Sequence, residues 1–125
     1  MLLAYGFLRQ VFEVFERYKT PIDLITTSEI AVSVTIDDAT SLNDIVTDLK
    51  KYAHVEVDTN QTIICVVGNF LAEEKGIILK VIDALRDVPL RMVSYGGSMH
   101  NISILVNTSE KVKALNLLNE RLFKY

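Results

Sequence analysis

The chain has 125 residues, half of them hydrophobic and 23% charged, with 13 basic against 16 acidic side chains and a formal net charge of −3. That length allows one ordinary domain or two very small ones sharing a core, and the slight negative charge gives no electrostatic reason to bind nucleic acid or an anionic membrane. No apolar run approaches the roughly 20 residues that span a bilayer, and Met1–Phe7 lacks a basic segment followed by a long apolar one, so the reading is a cytoplasmic chain without a secretory leader. The single cysteine, Cys65, sits in an apolar strand and reads as a small buried hydrophobe, which excludes a disulfide framework.

In chain order, Gly6 to about Tyr18 places Leu8, Val11, Phe12, Phe15 and Tyr18 at helical spacing, with Arg9, Glu13, Glu16 and Arg17 on the other side. Ile22, Leu24 and Ile25, then Ile30, Val32, Val34 and Ile36, predict two half-buried strands. Asp23 opens the first of them, a charge where a buried sheet wants an apolar side chain. Ser41 is expected to cap a second helix striped by Leu42, Ile45, Leu49 and Tyr52. His54–Asp58 alternates as a short strand, and a turn through Asn60 leads into a strand from Thr62 to Gly68.

The pattern then starts again. Gly76, Val81, Ile82 and Leu85 repeat Gly6, Val11, Phe12 and Phe15 at an offset of 70 residues, and Pro89-Leu90-Arg91 repeats Pro21-Ile22-Asp23 at 68. Ile102, Ile104 and Val106 echo Ile30, Val32 and Val34. Thr108-Ser109 opens a last helix, with Val112, Leu115, Leu118 and Leu122 expected inward. Ordered matches of this kind argue for duplication. Each copy reads βαββαβ, so the expected fold is α+β, two ferredoxin-like domains in tandem with helices on one face of antiparallel sheets, divided as 1–60 and 61–125. Only Met1–Tyr5 remains for the opening strand of the first copy, which is therefore truncated, and the second ends after its helix. Unpaired edges of this kind predict strand sharing or a dimer, in a chain cut from something longer.

Few residues look catalytic. His54 and His100 lie in different copies, no Cys/His/Asp/Glu group has metal-ligand spacing, and Gly96-Gly97-Ser98 joins two strands and does not lead from a strand into a helix, as a phosphate cradle does. The expectation is no catalytic residue, no metal and no cofactor within this stretch. An RNA-binding sheet of the same topology would stack bases on exposed aromatics within a basic surface, and these strands are aliphatic. A binding site for a small zwitterion remains. Gly6 permits a tight turn, the backbone N–H groups of Phe7 and Leu8 at the helix start can hold a carboxylate, and Asp23 with nearby carbonyls can hold an ammonium group. That pairing suits a basic amino acid; equally, Asp23 fits a solvated strand start and Gly6 an ordinary helix turn. In the second copy Arg91 replaces Asp23, so only the first copy is expected to bind such a ligand.

Gly6-Phe7-Leu8-x-x-Val11-Phe12, the run Asp23 to Glu29, and Met92 to Asn101 followed by the strand to Val106 resemble the tandem ACT domains at the C-terminus of aspartate kinases, most closely the lysine-sensitive class. The resemblance covers nearly the whole chain. It implies a regulatory piece, itself no enzyme, of a homodimeric protein. An upstream kinase domain of the same polypeptide would phosphorylate the side-chain carboxylate of aspartate with ATP and Mg, on the way to lysine, threonine and methionine. It also implies an L-lysine site where the first copies of two chains meet, built from Met1, the backbone of Phe7, Leu8 and Ile22, the carboxylate of Asp23, and Ser28 with Glu29. The chain departs from the family pattern at Ala4 and Pro21, which carry neither a hydroxyl nor, for Pro21, a backbone N–H. Two alternatives stay open: a pair answering to another amino acid such as threonine, which lacks the second amine Asp23 would hold, and a ligand-free dimerisation module.

Overall fold

The computed structural model describes residues 5–28, 31–68, 75–96 and 101–122. The chain divides into two compact units, Met1–Val57 and Asp58–Tyr125. Both are α+β with antiparallel sheets, and four α-helices are described in all.

In the first unit, helix α1 (Phe7–Arg17) buries Phe7, Val11, Val14 and Phe15, the i, i+4, i+7, i+8 spacing of one helix face. The inward stripe therefore differs from the expected one. Leu8 and Phe12 are exposed, and Val14 takes a core place that the aromatic-weighted reading gave to Phe12. The helix ends in a Schellman motif. The N–H of Thr20 donates to the Phe15 carbonyl at 2.9 Å and that of Lys19 to the Glu16 carbonyl at 3.0 Å, with Lys19 in the left-handed region at φ 49. Pro21 follows and cannot prolong the helix.

Strands β1 (Ile25–Thr27) and β2 (Val32–Val34) pair antiparallel, with Ile25 opposite Val34 and Thr27 opposite Val32. Backbone bonds carry the pairing back beyond β1: Asp23 N–H donates to the Thr35 carbonyl and Thr35 N–H to the Leu24 carbonyl, each at 2.9 Å. Helix α2 (Leu42–Leu49) follows. Ser41 sits at its N-cap but makes no side-chain cap bond, and the turn before it is held by Asp38, which accepts from both the N–H and the hydroxyl of Thr40. Val11, Val14, Phe15 and Ile45 form the core with Phe7, and Ile22, Val32, Val34 and Leu49 pack against it. His54–Asp58 forms no strand. Alternation alone does not make one without a ladder partner and a face to bury, and His54 and Glu56 instead meet each other at 3.3 Å in solvent.

In the second unit, β3 (Gln61–Val67), β4 (Leu90–Ser94) and β5 (Asn101–Asn107) form an antiparallel sheet in the order β3-β5-β4. The register slips by one residue between Leu90 and Met92, a bulge at Arg91. Helix α3 (Ile77–Ala84) follows Gly76, and a 3₁₀ turn (Thr108–Glu110) leads into α4 (Lys111–Leu122). Ile64, Val66, Ile102, Ile104 and Val106 share one core with Val81, Leu85, Ala114 and Leu118, so both helices lie on one face of the sheet. The strand period puts Cys65 on the opposite face, exposed, with its thiol 3.5 Å from the Ser103 hydroxyl. The 3₁₀ turn also shifts the last helix's inner stripe: Ala114 and Leu118 are buried, while Val112 and Leu115 face solvent.

Candidate functional site

Helix α1 begins at an N-cap glycine in the left-handed region, Gly6 at φ 83, with no side-chain cap and no acidic residue in the first turn. The Gly6 carbonyl accepts the first helical bond, from Gln10 N–H at 3.0 Å. The N–H groups of Phe7 and Leu8 thus have no partner within the helix and present its positive end. Phe7 anchors this end through its buried ring, and the half-buried Ile22 packs on the same core. The helix start and the chain leading into β1 are therefore held against one hydrophobic cluster.

Asp23 is the residue after Ile22. Its N–H is committed to Thr35, but its exposed carboxylate has no hydrogen-bond or ion-pair partner among the described residues. Leu8 is 36% exposed and contributes backbone at the helix start. Ser28 is exposed beyond the far end of β1, its N–H donating to the Ala31 carbonyl at 2.8 Å to turn the hairpin. Four residues separate Asp23 from Ser28, which lie on either side of β1, and an extended run of five steps spans about 17 Å. Met1 and Glu29 lie outside the described residues, as do Ala4 and His100.

The second unit repeats the frame with the opposite charge. Gly76 also precedes its helix in the left-handed region, at φ 74 and without a side-chain cap. Arg91, in the place of Asp23, is ion-paired with Asp58.

The sequence reading missed a polar clamp at the other end of α1. Asp48 on α2 accepts from the Tyr18 hydroxyl and the Arg17 guanidinium, each at 2.7 Å, with Lys51 at 3.6 Å. The Tyr18 bond, with Arg17 and Lys51 behind it, holds the Asp48 carboxyl below the usual carboxylate range, against the desolvation that pushes it up. Its partners stand 30 and 31 residues away, beyond any local pattern. Asp48 itself, one position before Leu49 on the inward side of a helix, was the available signal. Among the described residues no group of three His, Cys, Asp or Glu side chains could hold a metal ion, and no helix is long and apolar enough to cross a membrane.

Two small α+β units, each with a glycine-initiated helix and an antiparallel sheet, define the class. A family model described as "ACT domain" matches residues 64–122, and the chain belongs to the ACT-domain family. It is homologous to the C-terminal regulatory region of aspartokinases. A solved structure described as a C-terminal regulatory domain of aspartate kinase from Porphyromonas gingivalis W83 is 46% identical, covers 98% of this chain and 84% of its own, and superposes with a TM-score of 0.89. Lysine-sensitive aspartokinase 3 of Escherichia coli K12 is 33% identical over 99% of this chain and 29% of its own length. The crystal structure of E. coli aspartokinase III with lysine and aspartate, in the T-state, superposes with a TM-score of 0.85 at 32% identity, over 99% of this chain and 29% of that one. The chain thus spans under a third of the length of these full-length relatives.

Proposed function

We propose that this chain is the effector-sensing part of an aspartate kinase and that the first unit binds L-lysine. The reading is supported by N–H groups at Phe7 and Leu8 without a partner in the helix, by a carboxylate at Asp23 without a partner among the described residues, and by the packing of Phe7 and Ile22 on one core. The α-carboxylate docks on the helix start. The Ile22 carbonyl, which no hydrogen bond among the described residues uses, and the Asp23 carboxylate take the two amines. A charge-assisted bond of this kind contributes about 1.5–3 kcal/mol.

Ser28, about 17 Å from Asp23 along an extended chain, reaches such a ligand from a partner protomer. Ligand and dimer geometry are then linked, and regulation follows if lysine binds one arrangement better than another, a coupling of typically about 1–3 kcal/mol. A kinase domain elsewhere in the same polypeptide, using ATP and Mg to phosphorylate aspartate, receives the signal. The lysine-bound E. coli relative supports this reading.

Calorimetric titration of the chain with lysine, threonine and methionine tests it. Lysine is expected to give a saturable heat, with threonine and methionine far weaker. A flat lysine trace from a folded dimer leaves dimerisation alone as the function, and a threonine response stronger than lysine's moves the assignment to a different effector.

A further inference from the structure

Asp23 stands on an irregularity of the first sheet. Val34 packs on the core of the first unit and Ile25 lies directly opposite it, so the two share the core face. Side chains alternate along a strand, and counting back by twos from Ile25 puts Asp23 on the core face and Ile22 away from it. The structure has the reverse: Ile22 and Ile36 pack on the core, and Asp23 is exposed. One residue has been inserted, and the hydrogen bonds show where. The N–H of Asp23 donates to the Thr35 carbonyl and that of Leu24 to the Thr35 hydroxyl, each at 2.9 Å, while the Thr35 N–H donates to the Leu24 carbonyl. Asp23 and Leu24 thus both oppose Thr35. This is a β-bulge, which shifts the phase of the strand and turns Asp23 out of the core.

The second unit carries the same bulge at Arg91, between Leu90 opposite Val106 and Met92 opposite Leu105. There Leu105 stands in the place of Thr35 and has no hydroxyl, and the Arg91 guanidinium is held by Asp58. The bulge is common to both copies. The hydroxyl belongs to the copy whose charge has no partner among the described residues.

We propose that the Thr35 hydroxyl is a positioning group for Asp23 and sets how strictly the first unit selects its effector by length. Without it the N–H of the half-buried Leu24 loses its acceptor, and the bulged backbone that carries Asp23 is held by two bonds in place of three. A carboxylate fixed in one place measures the reach from a ligand's α-carboxylate to its side-chain amine, and binds without first having to be ordered. The inference rests on the reading of the first unit as a lysine site.

Isothermal titration of lysine, and of ornithine with one methylene fewer, into wild type, Thr35→Ser and Thr35→Val tests it, with amide hydrogen exchange followed by NMR. Thr35→Ser keeps the hydroxyl and is expected to bind as wild type does. Thr35→Val keeps the shape without the hydroxyl. Its lysine affinity is expected to fall about 3- to 10-fold, its preference for lysine over ornithine to narrow, and its Leu24 amide to exchange faster. A folded Thr35→Val with wild-type lysine affinity, one whose affinity falls while its preference stays, or a Thr35→Ser as weak as Thr35→Val overturns the proposal. Should Thr35→Val fail to fold, the wild type decides alone: its Leu24 amide is expected to be protected and to exchange more slowly with lysine bound, and an unprotected or unresponsive amide overturns the proposal. A wild type that takes no lysine denies the effector reading itself, and this inference with it.

Discussion

The two units place the same four helix positions in their cores and opposite charges at their mouths. Phe7, Val11, Val14 and Phe15 of α1 correspond to Ile77, Val81 and Ala84 of α3 and its C-cap Leu85, every pair 70 residues apart and every member buried. Both helices start from a left-handed glycine. The frame is therefore duplicated, and what differs is laid over it. Asp23 leaves a carboxylate without a partner among the described residues, while Arg91 is occupied by Asp58. One copy keeps a charge available for a ligand, and the other neutralises its own.

Breaking the shared frame should cost most, and similarly in both units. Phe15→Ala and Leu85→Ala each remove a buried side chain, and about 2–5 kcal/mol of stability should be lost in denaturant titration for either. A loss confined to one unit would deny the structural equivalence of the two helices. Next come the glycines. Among the described residues nothing lies within 4 Å of where a Gly6 Cβ would sit, and Gly76 meets Leu79 at an ordinary 4.0 Å, so Ala at either position is expected to cost the left-handed backbone, about 1–2 kcal/mol.

The Asp48 clamp sharpens the contrast, since the second unit puts a buried Val88 at the position 70 residues on from Tyr18. The folded-state pKa of Asp48 is depressed, so its contribution is present above the unfolded value near about 3.9 and is lost as pH falls through the lower folded value. Asp48→Asn should lower the melting temperature at pH 7, and the gap to wild type should close below about pH 4. A gap that persists unchanged at acid pH would remove the ionic share of the clamp. The smallest effect belongs to Lys19, which holds φ 49 at the end of α1. Lys19→Gly should stabilise the chain by about 0.5 kcal/mol in chemical denaturation, the relief of left-handed strain less the glycine's added freedom when unfolded.

The duplication and the element order were legible because hydrophobic period survives in sequence even where residue identity does not. The left-handed turn at Gly6 was legible because few other residues tolerate it. Which residues face inward was harder. Phe12 and Leu115 looked like core on size, yet Val14 and Ala114 are buried in their place, because helices that approach closely favour what fits over what is largest. The clamp on Asp48 and the Arg91–Asp58 pair join residues 30 or more positions apart, so no local spacing carries them. At the candidate site, the helix start and Asp23 could be named from their letters. That Ser28 stands at the other end of the hairpin needed the register of β1 and β2.

The central claim is that effector binding belongs to the copy whose charge is left open. Isothermal titration of lysine into wild type, Asp23→Ala and Arg91→Ala measures it directly. One lysine per chain is expected, with an affinity about 10- to 100-fold weaker in Asp23→Ala and no change in Arg91→Ala. Undiminished binding by Asp23→Ala, or binding lost with Arg91, would contradict it.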